Sequence, residues 1–521
     1  MVKNSINSPI RIAGIEVGAG VIGMTFCPGK HDVGSDGVRW ARDLEIDLDA
    51  VMQWGATCII SIMERDEFSI LNVPELGGKI QSRSMAWHHL PIADQSIPWG
   101  DFLYTWSCLS KSLQRRLAAG EKIVLHCRGG LGRTGLIAAL LLIDLGWGAD
   151  AAIKLVREAR SSRAIETKEQ EEYVRRYMPY LSHASLLGGA IGDSLGADIE
   201  FVSIEEIRRL FPNGPDRLAR THAVRENWFT DDTQMTLFTA EGLIRAYVCR
   251  HQNGRMPVAN IVHHALLRWF ATQGGSPALE IDQDHGLIRQ KDLWHQAAPG
   301  RTCLSALEAF SGLGNPAVNN SKGCGAIMRV APVALALPSD DVRHVARSTS
   351  ALTHGHAVGQ LAAAAWAELL VAAMHRYDIG STAWELVGRY SGASRESDIV
   401  AWAMRDALTA PRDGRVETVE ALGGGWVAEE ALAIALYAAL AATDFEDGLR
   451  IAVMHSGDSD STGAIAGNLL GLLYPRQVFE HRWAQEVGGR ELIAKLAVDL
   501  PMARWWSSEE AERQWATYPG W

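Results

Sequence analysis

Val124-Leu125-His126-Cys127-Arg128-Gly129-Gly130-Leu131-Gly132-Arg133-Thr134-Gly135 is an apolar run that breaks into a glycine-rich loop carrying one cysteine and one arginine. Five residues separate Cys127 from Arg133, three of them glycine, so the loop can curl and turn several backbone N–H groups inward as a nest. The apolar run Leu136 to Ile143 then begins a helix whose N-terminal partial charge is aimed at the same point. A thiol in that field is expected to ionise below its reference pKa of about 8.5. Arg133 offers a planar fork for two phosphate oxygens while Cys127 attacks phosphorus, and Thr134 can donate to the departing thiolate. Arg128, Gly129, Gly130, Leu131 and Gly132 are the candidate phosphate-binding residues between them. A buried cysteine beside a glycine turn is the ordinary alternative. The complete His-Cys-x5-Arg-Thr-Gly string outweighs it. No Gly-Lys-Ser/Thr follows the glycines, which excludes a nucleotide P-loop.

At 521 residues the chain is long enough for two or more domains, and 47% hydrophobic with 21% charged residues is ordinary for a soluble protein. The net charge of −11 is unevenly placed: residues 1–182 balance 21 basic against 21 acidic side chains, so the whole excess lies in 183–521. That argues against a nucleic-acid surface there and suits a site that collects cations. The seven cysteines are odd in number and lack metal-ligand spacing, as in a reducing cytoplasm. Glu16 and several glycines interrupt any signal-like pattern at the start, and Glu368 interrupts the apolar stretch Leu361 to Met374. No stretch reaches the roughly 18 residues of a membrane span. The expectation is a cytoplasmic protein with no membrane partner.

From Ile10 to about Ser182, strand-like runs (10–15, 57–62, 86–90, 122–126) alternate with helical ones (48–55, 102–119, 134–145, 149–160, 167–178). This predicts an α/β domain with a central sheet. A cysteine-phosphoenzyme mechanism also needs a proton for the leaving oxygen. Asp94, in Pro91-Ile92-Ala93-Asp94, is the candidate acid, with Asp101 as the fallback; His88 and His89 are assigned no role.

With these residues in view, positions 11–178 resemble the cysteine-dependent dual-specificity phosphatases, above all the kinase-associated, cyclin-dependent kinase inhibitor 3-like type. The resemblance rests on Phe26-Cys27-Pro28-Gly29-Lys30, Pro91 to Asp94, His126 to Gly135, and Ala164-Ile165-Glu166-Thr167 with Gln170. It implies Cys127 as nucleophile, Arg133 as phosphate clamp, Asp94 as general acid, Gln170 as an aid to the hydrolytic water, and no cofactor.

Beyond 183 the chain becomes a succession of Ala/Leu-rich segments with helical period and almost no strand pattern, so an all-α domain over 183–521 is expected. No Gly/Ser tract separates it from the first domain. Thr230-Asp231-Asp232-Thr233 and Gly457-Asp458-Ser459-Asp460-Ser461-Thr462 each precede a helix. One Asp or Ser there is commonly an N-cap. Adjacent carboxylates exceed that need, and their repulsion calls for a cation; oxygen-only donors favour Mg²⁺ or Mn²⁺ over zinc.

These two motifs, with Gly188 to Phe201, Lys322 to Arg329 and Leu352-Thr353-His354, resemble the ADP-ribosylglycohydrolases, including those that act on dinitrogenase reductase. The resemblance implies that Thr230, Asp231, Asp232, Asp458, Asp460 and Ser461 hold two Mg²⁺ or Mn²⁺ ions. Glu200 would lie at the ribose, Asp193 would support the site, and His354 is as much a core residue as a ligand contact. Ser461 departs from the threonine of many relatives but keeps the hydroxyl.

The whole predicts a bifunctional hydrolase acting on a phosphorylated protein or small molecule and on an ADP-ribosylated substrate. Two alternatives stay open: both sites serve one phosphorylated ADP-ribose, or the chain is a non-catalytic reader of phosphate and ADP-ribose.

Overall fold

Strands β1 (Ala13–Val17), β2 (Gly20–Phe26), β3 (His31–Val33), β4 (Arg39–Ala41), β5 (Ala56–Ser61), β6 (Ala86–His89) and β7 (Lys122–Cys127) all fall in the first part of the chain. The computed structural model describes every residue but 1, 35–36, 99–101, 213, 221–225, 256 and 521, and, within the described helices, the side chains at all positions but 103, 104, 107, 108, 176 and 253. The fallback acid Asp101 lies outside the described residues. The chain divides into two units, Met1–Tyr177 and Met178–Trp521. The division precedes position 182 because one helix, Pro179–Gly196, runs through that position unbroken.

In the first unit a five-stranded mixed sheet has the order β1-β2-β7-β5-β6. β1 is antiparallel to β2, and the other neighbours are parallel. β7 lies between β2 and β5, which explains its unbroken apolar run: Ile123, Val124 and Leu125 are fully buried. Its C-terminal end delivers Cys127 to the edge where parallel sheets present their ligand sites. The chain then turns into the Gly132–Asp144 helix. β2 was not foreseen, because its glycines dilute the β-branched signal.

The second unit is helical throughout the described residues apart from short 3₁₀ turns and irregular loops. Its centre is the Pro179–Gly196 helix, buried along its whole length and laid against Ser459–Leu473. Gly188 faces Gly467 and Gly471, Gly192 faces Gly463, Gly196 lies against the Ser459 carbonyl, and Gly471 against that of Ala184. A Cβ at Gly192 would stand 2.0 Å from the Gly463 carbonyl oxygen, and one at Gly467 2.2 Å from that of Gly188. The spacing of four residues lets the backbones touch, and this contact carries Asp193 and the Asp458 motif to the same place. Gly192→Ala is expected to cost roughly 1–3 kcal/mol, because backbone rather than a yielding side chain fills the space. Denaturant unfolding followed by circular dichroism measures it, with an unchanged midpoint as the contrary result.

Ala357–Met374 corrects one expectation, since this helix does reach 18 residues and is apolar enough by length and composition to cross a membrane. In the structure it is a core helix: Trp366, Leu369 and Leu370 are fully buried, and Glu368 accepts from the Tyr390 hydroxyl at 2.9 Å.

Candidate active sites

The end of β7 is held from beneath. His126 is fully buried, with Nε2 2.7 Å from Ser61 Oγ, and Trp87 Nε1 donates to the same hydroxyl at 2.9 Å. Burial lowers the His126 pKa to about 4, so the ring is neutral. The loop beyond curls as expected: Gly130 N donates to Cys127 Sγ at 3.2 Å. Gly130 has φ +71° and a Cβ there would lie 2.3 Å from the Thr25 carbonyl oxygen, so only glycine fits.

Arg133 is 1% exposed and gripped by a residue that the sequence did not single out. Its Nη1 and Nη2 donate to Glu67 Oε2 and Oε1 at 2.6 and 2.9 Å, and Nη1 also reaches the Ile92 carbonyl at 2.9 Å. Asp94 Oδ1 pairs with Nη2 at 2.9 Å from an exposed loop. Asp94 and Arg133, far apart in the chain, thus meet. Three buried side-chain atoms here have no hydrogen-bond partner among the described residues, His126 Nδ1, Arg133 Nε and Thr134 Oγ1.

The side chain of Arg128 turns away and pairs with Asp32 (3.0 and 2.7 Å), so only its backbone belongs to the cradle. Gly132 N is taken by Glu166 Oε2 at 2.9 Å. Gln170 donates to the Ser96 carbonyl at 3.0 Å and accepts from Glu166 N at 3.1 Å, which ties the acid loop to the Glu166 turn. His89 Nε2 lies 2.7 Å from the Met63 carbonyl oxygen, a packing contact.

In the second unit, Glu200, Asp231, Asp232, His354, Asp458, Asp460 and Ser461 line one cleft of about 340 Å³. Asp193 holds it from behind. Fully buried, it accepts from Thr230 N (2.9 Å), Thr233 N (3.0 Å) and Thr233 Oγ1 (2.6 Å) at the start of the Asp231–Asn253 helix. Thr230 caps that helix, its Oγ1 3.4 Å from Asp232 N. Asp458 stands at the start of Ser459–Leu473, anchored by its N–H to the Gly424 carbonyl at 2.9 Å.

Carboxylate oxygens of Glu200, Asp458 and Asp460 lie within 4.8 Å of one another. Among the described residues lining the cleft, five are carboxylates and one, Arg301, is cationic. Burial, and then the Asp460 and Asp458 charges, push Glu200 up to about 9; burial and Asp460 likewise raise Asp231, Asp232 and Asp458. Asp232 Oδ1 is buried without a partner among the described residues. Such crowding is costly unless a cation shares it, so the donor set fits a hard divalent ion. His354 is buried, with Nδ1 3.0 Å from Thr353 Oγ1 and a pKa lowered by burial to about 3. At the mouth, Phe201 and Trp426 stack with ring centroids 5.0 Å apart, both with much of their surface exposed.

The ADP-ribosylglycohydrolase family model matches residues 181–509. The chain belongs to the ADP-ribosylglycohydrolase family. The model of cyclin-dependent kinase inhibitor 3 matches residues 15–152, so a Cys-based phosphatase domain precedes the ADP-ribosylglycohydrolase domain and both belong to hydrolase families. Over 143 residues the chain is 32% identical to cyclin-dependent kinase inhibitor 3 of Rattus norvegicus, covering 27% of this chain and 66% of the relative's length. ADP-ribosylarginine hydrolase Tri1 of Pseudomonas putida (strain GB-1) is 27% identical over 330 residues, 61% of this chain and 76% of that one. The ADP-ribosyl-dinitrogen reductase glycohydrolase of Rhodospirillum rubrum is 26% identical over 305 residues, 56% and 84% of the two chains.

Glu67, Asp32, Cys324 and the Phe201–Trp426 pair were not legible beforehand. Glu67 lies in Glu64-Arg65-Asp66-Glu67, which reads only as a helix start.

Proposed function

We propose that this ADP-ribosylglycohydrolase is bifunctional, with a Cys-dependent phosphomonoesterase and a metal-dependent hydrolase of ADP-ribosyl bonds on one chain. The observation that carries the reading is two clusters: Arg133 and Asp94 meeting beside Cys127, whose sulfur accepts from Gly130 N, and the Glu200, Asp458 and Asp460 carboxylate oxygens within 4.8 Å of one another in one cleft. The first suits an oxyanion and the second a cation.

In the first unit Cys127 Sγ attacks phosphorus, forming the P–S bond as the bond to the leaving oxygen breaks. The loop N–H groups and the Arg133 fork hold the non-bridging oxygens. Glu67 keeps that fork in plane as a positioning residue. Phosphate replaces Asp94 on Arg133; the freed carboxylate takes up a proton from solvent and gives it to the leaving oxygen. Gln170, fixed beside the acid loop, orients the water that cleaves the phosphocysteine. Phosphorylated protein is the favoured substrate class, given the similarity to cyclin-dependent kinase inhibitor 3.

In the second unit Thr230, Asp231, Asp232, Asp458, Asp460 and Ser461 would hold two Mg²⁺ or Mn²⁺ ions, which supply positive charge to orient the ribose hydroxyls and an attacking water. Glu200 faces the ribose, and Asp193 holds Thr230 and Thr233 so that the donor set keeps its shape. Phe201 and Trp426 offer their faces to the adenine. The names of the Pseudomonas and Rhodospirillum relatives favour an ADP-ribosylated arginine on a protein. A thiolate nucleophile operates in a reducing compartment, and we place the protein in the cytoplasm.

Trp426→Ala should raise KM for ADP-ribosyl-arginine about tenfold with kcat little changed, as expected for the loss of one base-stacking face. Equal KM values would remove Trp426 from the adenine site. The proposal as a whole is tested with purified full chain. It should release phosphate from para-nitrophenyl phosphate in the presence of chelator, and ADP-ribose from ADP-ribosyl-arginine only when Mg²⁺ or Mn²⁺ is added. A chain that binds both compounds and turns over neither is a reader.

A further inference from the structure

The carboxylates and hydroxyls of the acidic cleft are oxygen donors, but three of its lining residues, Cys303, Cys324 and Met328, carry sulfur. Cys324 lines the same cleft, and its thiol donates to Asp458 Oδ2 at 2.8 Å. Ser461 Oγ lies 3.6 Å from the sulfur on the other side. The position is not one the side chain can easily leave. Cys324 N donates to the Trp426 carbonyl at 3.2 Å, and Ile327 N to the Cys324 carbonyl at 2.9 Å, closing a 3₁₀ turn. At the next position a Cβ on Gly325 would lie 2.9 Å from Cys303 Sγ and 3.0 Å from His354 Cε1, so the turn is packed closely along its length. A second observation points to a ligand independently of the cysteine: Asp232 Oδ1, on a residue only 3% exposed in the same cleft, has no partner among the described residues.

We propose that Cys324 gives this metal site a sulfur donor beside Asp458, so that the site binds thiophilic divalent cations of the Zn²⁺ and Cd²⁺ class in competition with Mg²⁺ or Mn²⁺. The inference rests on the metal-site reading above. A hard cation leaves the thiol protonated and hydrogen-bonded to Asp458, and takes only oxygen donors. A soft cation replaces the thiol proton: the sulfur–metal bond forms, the proton passes to solvent, and nothing is oxidised or reduced. The consequence is a site that works with a hard ion and is held by a soft one at lower concentration.

The test is displacement of Mn²⁺ from the full chain by Cd²⁺, read from the electron paramagnetic resonance signal of released Mn²⁺. Cys324→Ser should bind Mn²⁺ as the wild type does, while the Cd²⁺ concentration that releases half of it rises about tenfold or more. Cys324→Ala should give the same result. In the unmodified protein, Cd²⁺ should produce an ultraviolet sulfur-to-metal charge-transfer band, part of which excess Mg²⁺ competes away; in Cys324→Ser that competable part should be absent. Equal Cd²⁺ sensitivity of wild type and Cys324→Ser, or a wild-type band that Mg²⁺ leaves untouched, overturns the sulfur ligand and leaves the oxygen site standing. A wild type that holds no Mn²⁺ overturns both.

Discussion

Cys127→Ser is expected to lower phosphate release from para-nitrophenyl phosphate by about four orders of magnitude or more, the scale at which removal of a nucleophile is usually felt. The substitution exchanges one atom at the end of β7, where the backbone is held by sheet pairing on both sides and by the buried His126–Ser61–Trp87 chain. The cradle therefore survives, and only the attacking atom changes. The Cys127→Ser protein should accordingly still bind inorganic phosphate or vanadate, because the Arg133 fork and the loop N–H groups are intact. Activity within tenfold of wild type would show that phosphate leaves by another route. ADP-ribose release should be unaffected by this change; a parallel loss would show that the two activities are not separate.

Asp458→Ala is expected to abolish release of ADP-ribose from ADP-ribosyl-arginine and to weaken Mn²⁺ binding about a hundredfold or more, as loss of a ligand exceeds the roughly 10–100-fold typical of outer-shell partners. The expected stability change has the opposite sign. Glu200, Asp458 and Asp460 stand within 4.8 Å of one another, and burial makes their charges costly, so removing one relieves the metal-free protein. The thermal midpoint without metal should be unchanged or higher, while the stabilisation that Mg²⁺ gives the wild type should disappear. The helix start should hold, because Asp458 is tethered by its backbone N–H to Gly424 rather than by a side-chain cap. Retained ADP-ribose release in the presence of chelator would remove the metal from the mechanism.

The readable part of each site was local. Cys127 and Arg133 lie in one loop, and Asp231 with Asp232, or Asp458 with Asp460, in one helix start; their spacing alone expresses the chemistry. Glu67 could not be read, since nothing in a four-residue helix start says that an arginine 66 positions later will fall into its carboxylate. Cys324 reads as one scattered thiol until the fold sets it against its partner Asp458, 134 positions away in the chain. Trp426 is one of eighteen tryptophans and is distinguished only by lying exposed on Phe201 at the cleft mouth.

The fold divides in the same way. The alternation of strand and helix runs, the apolar density of β7, the Ala/Leu-rich helices and the placement of acidic excess beyond residue 182 were all determined by the sequence, because periodicity and charge act between near neighbours. The tertiary structure alone decided the strand order, the pairing of Gly188 with Gly467 and of Gly192 with Gly463, and the meeting of Glu200, Asp232 and Asp458 in one cleft. A glycine in a helix carries no packing signal by itself. Its meaning is the backbone that comes to lie against it, and that backbone arrives from the far end of the chain.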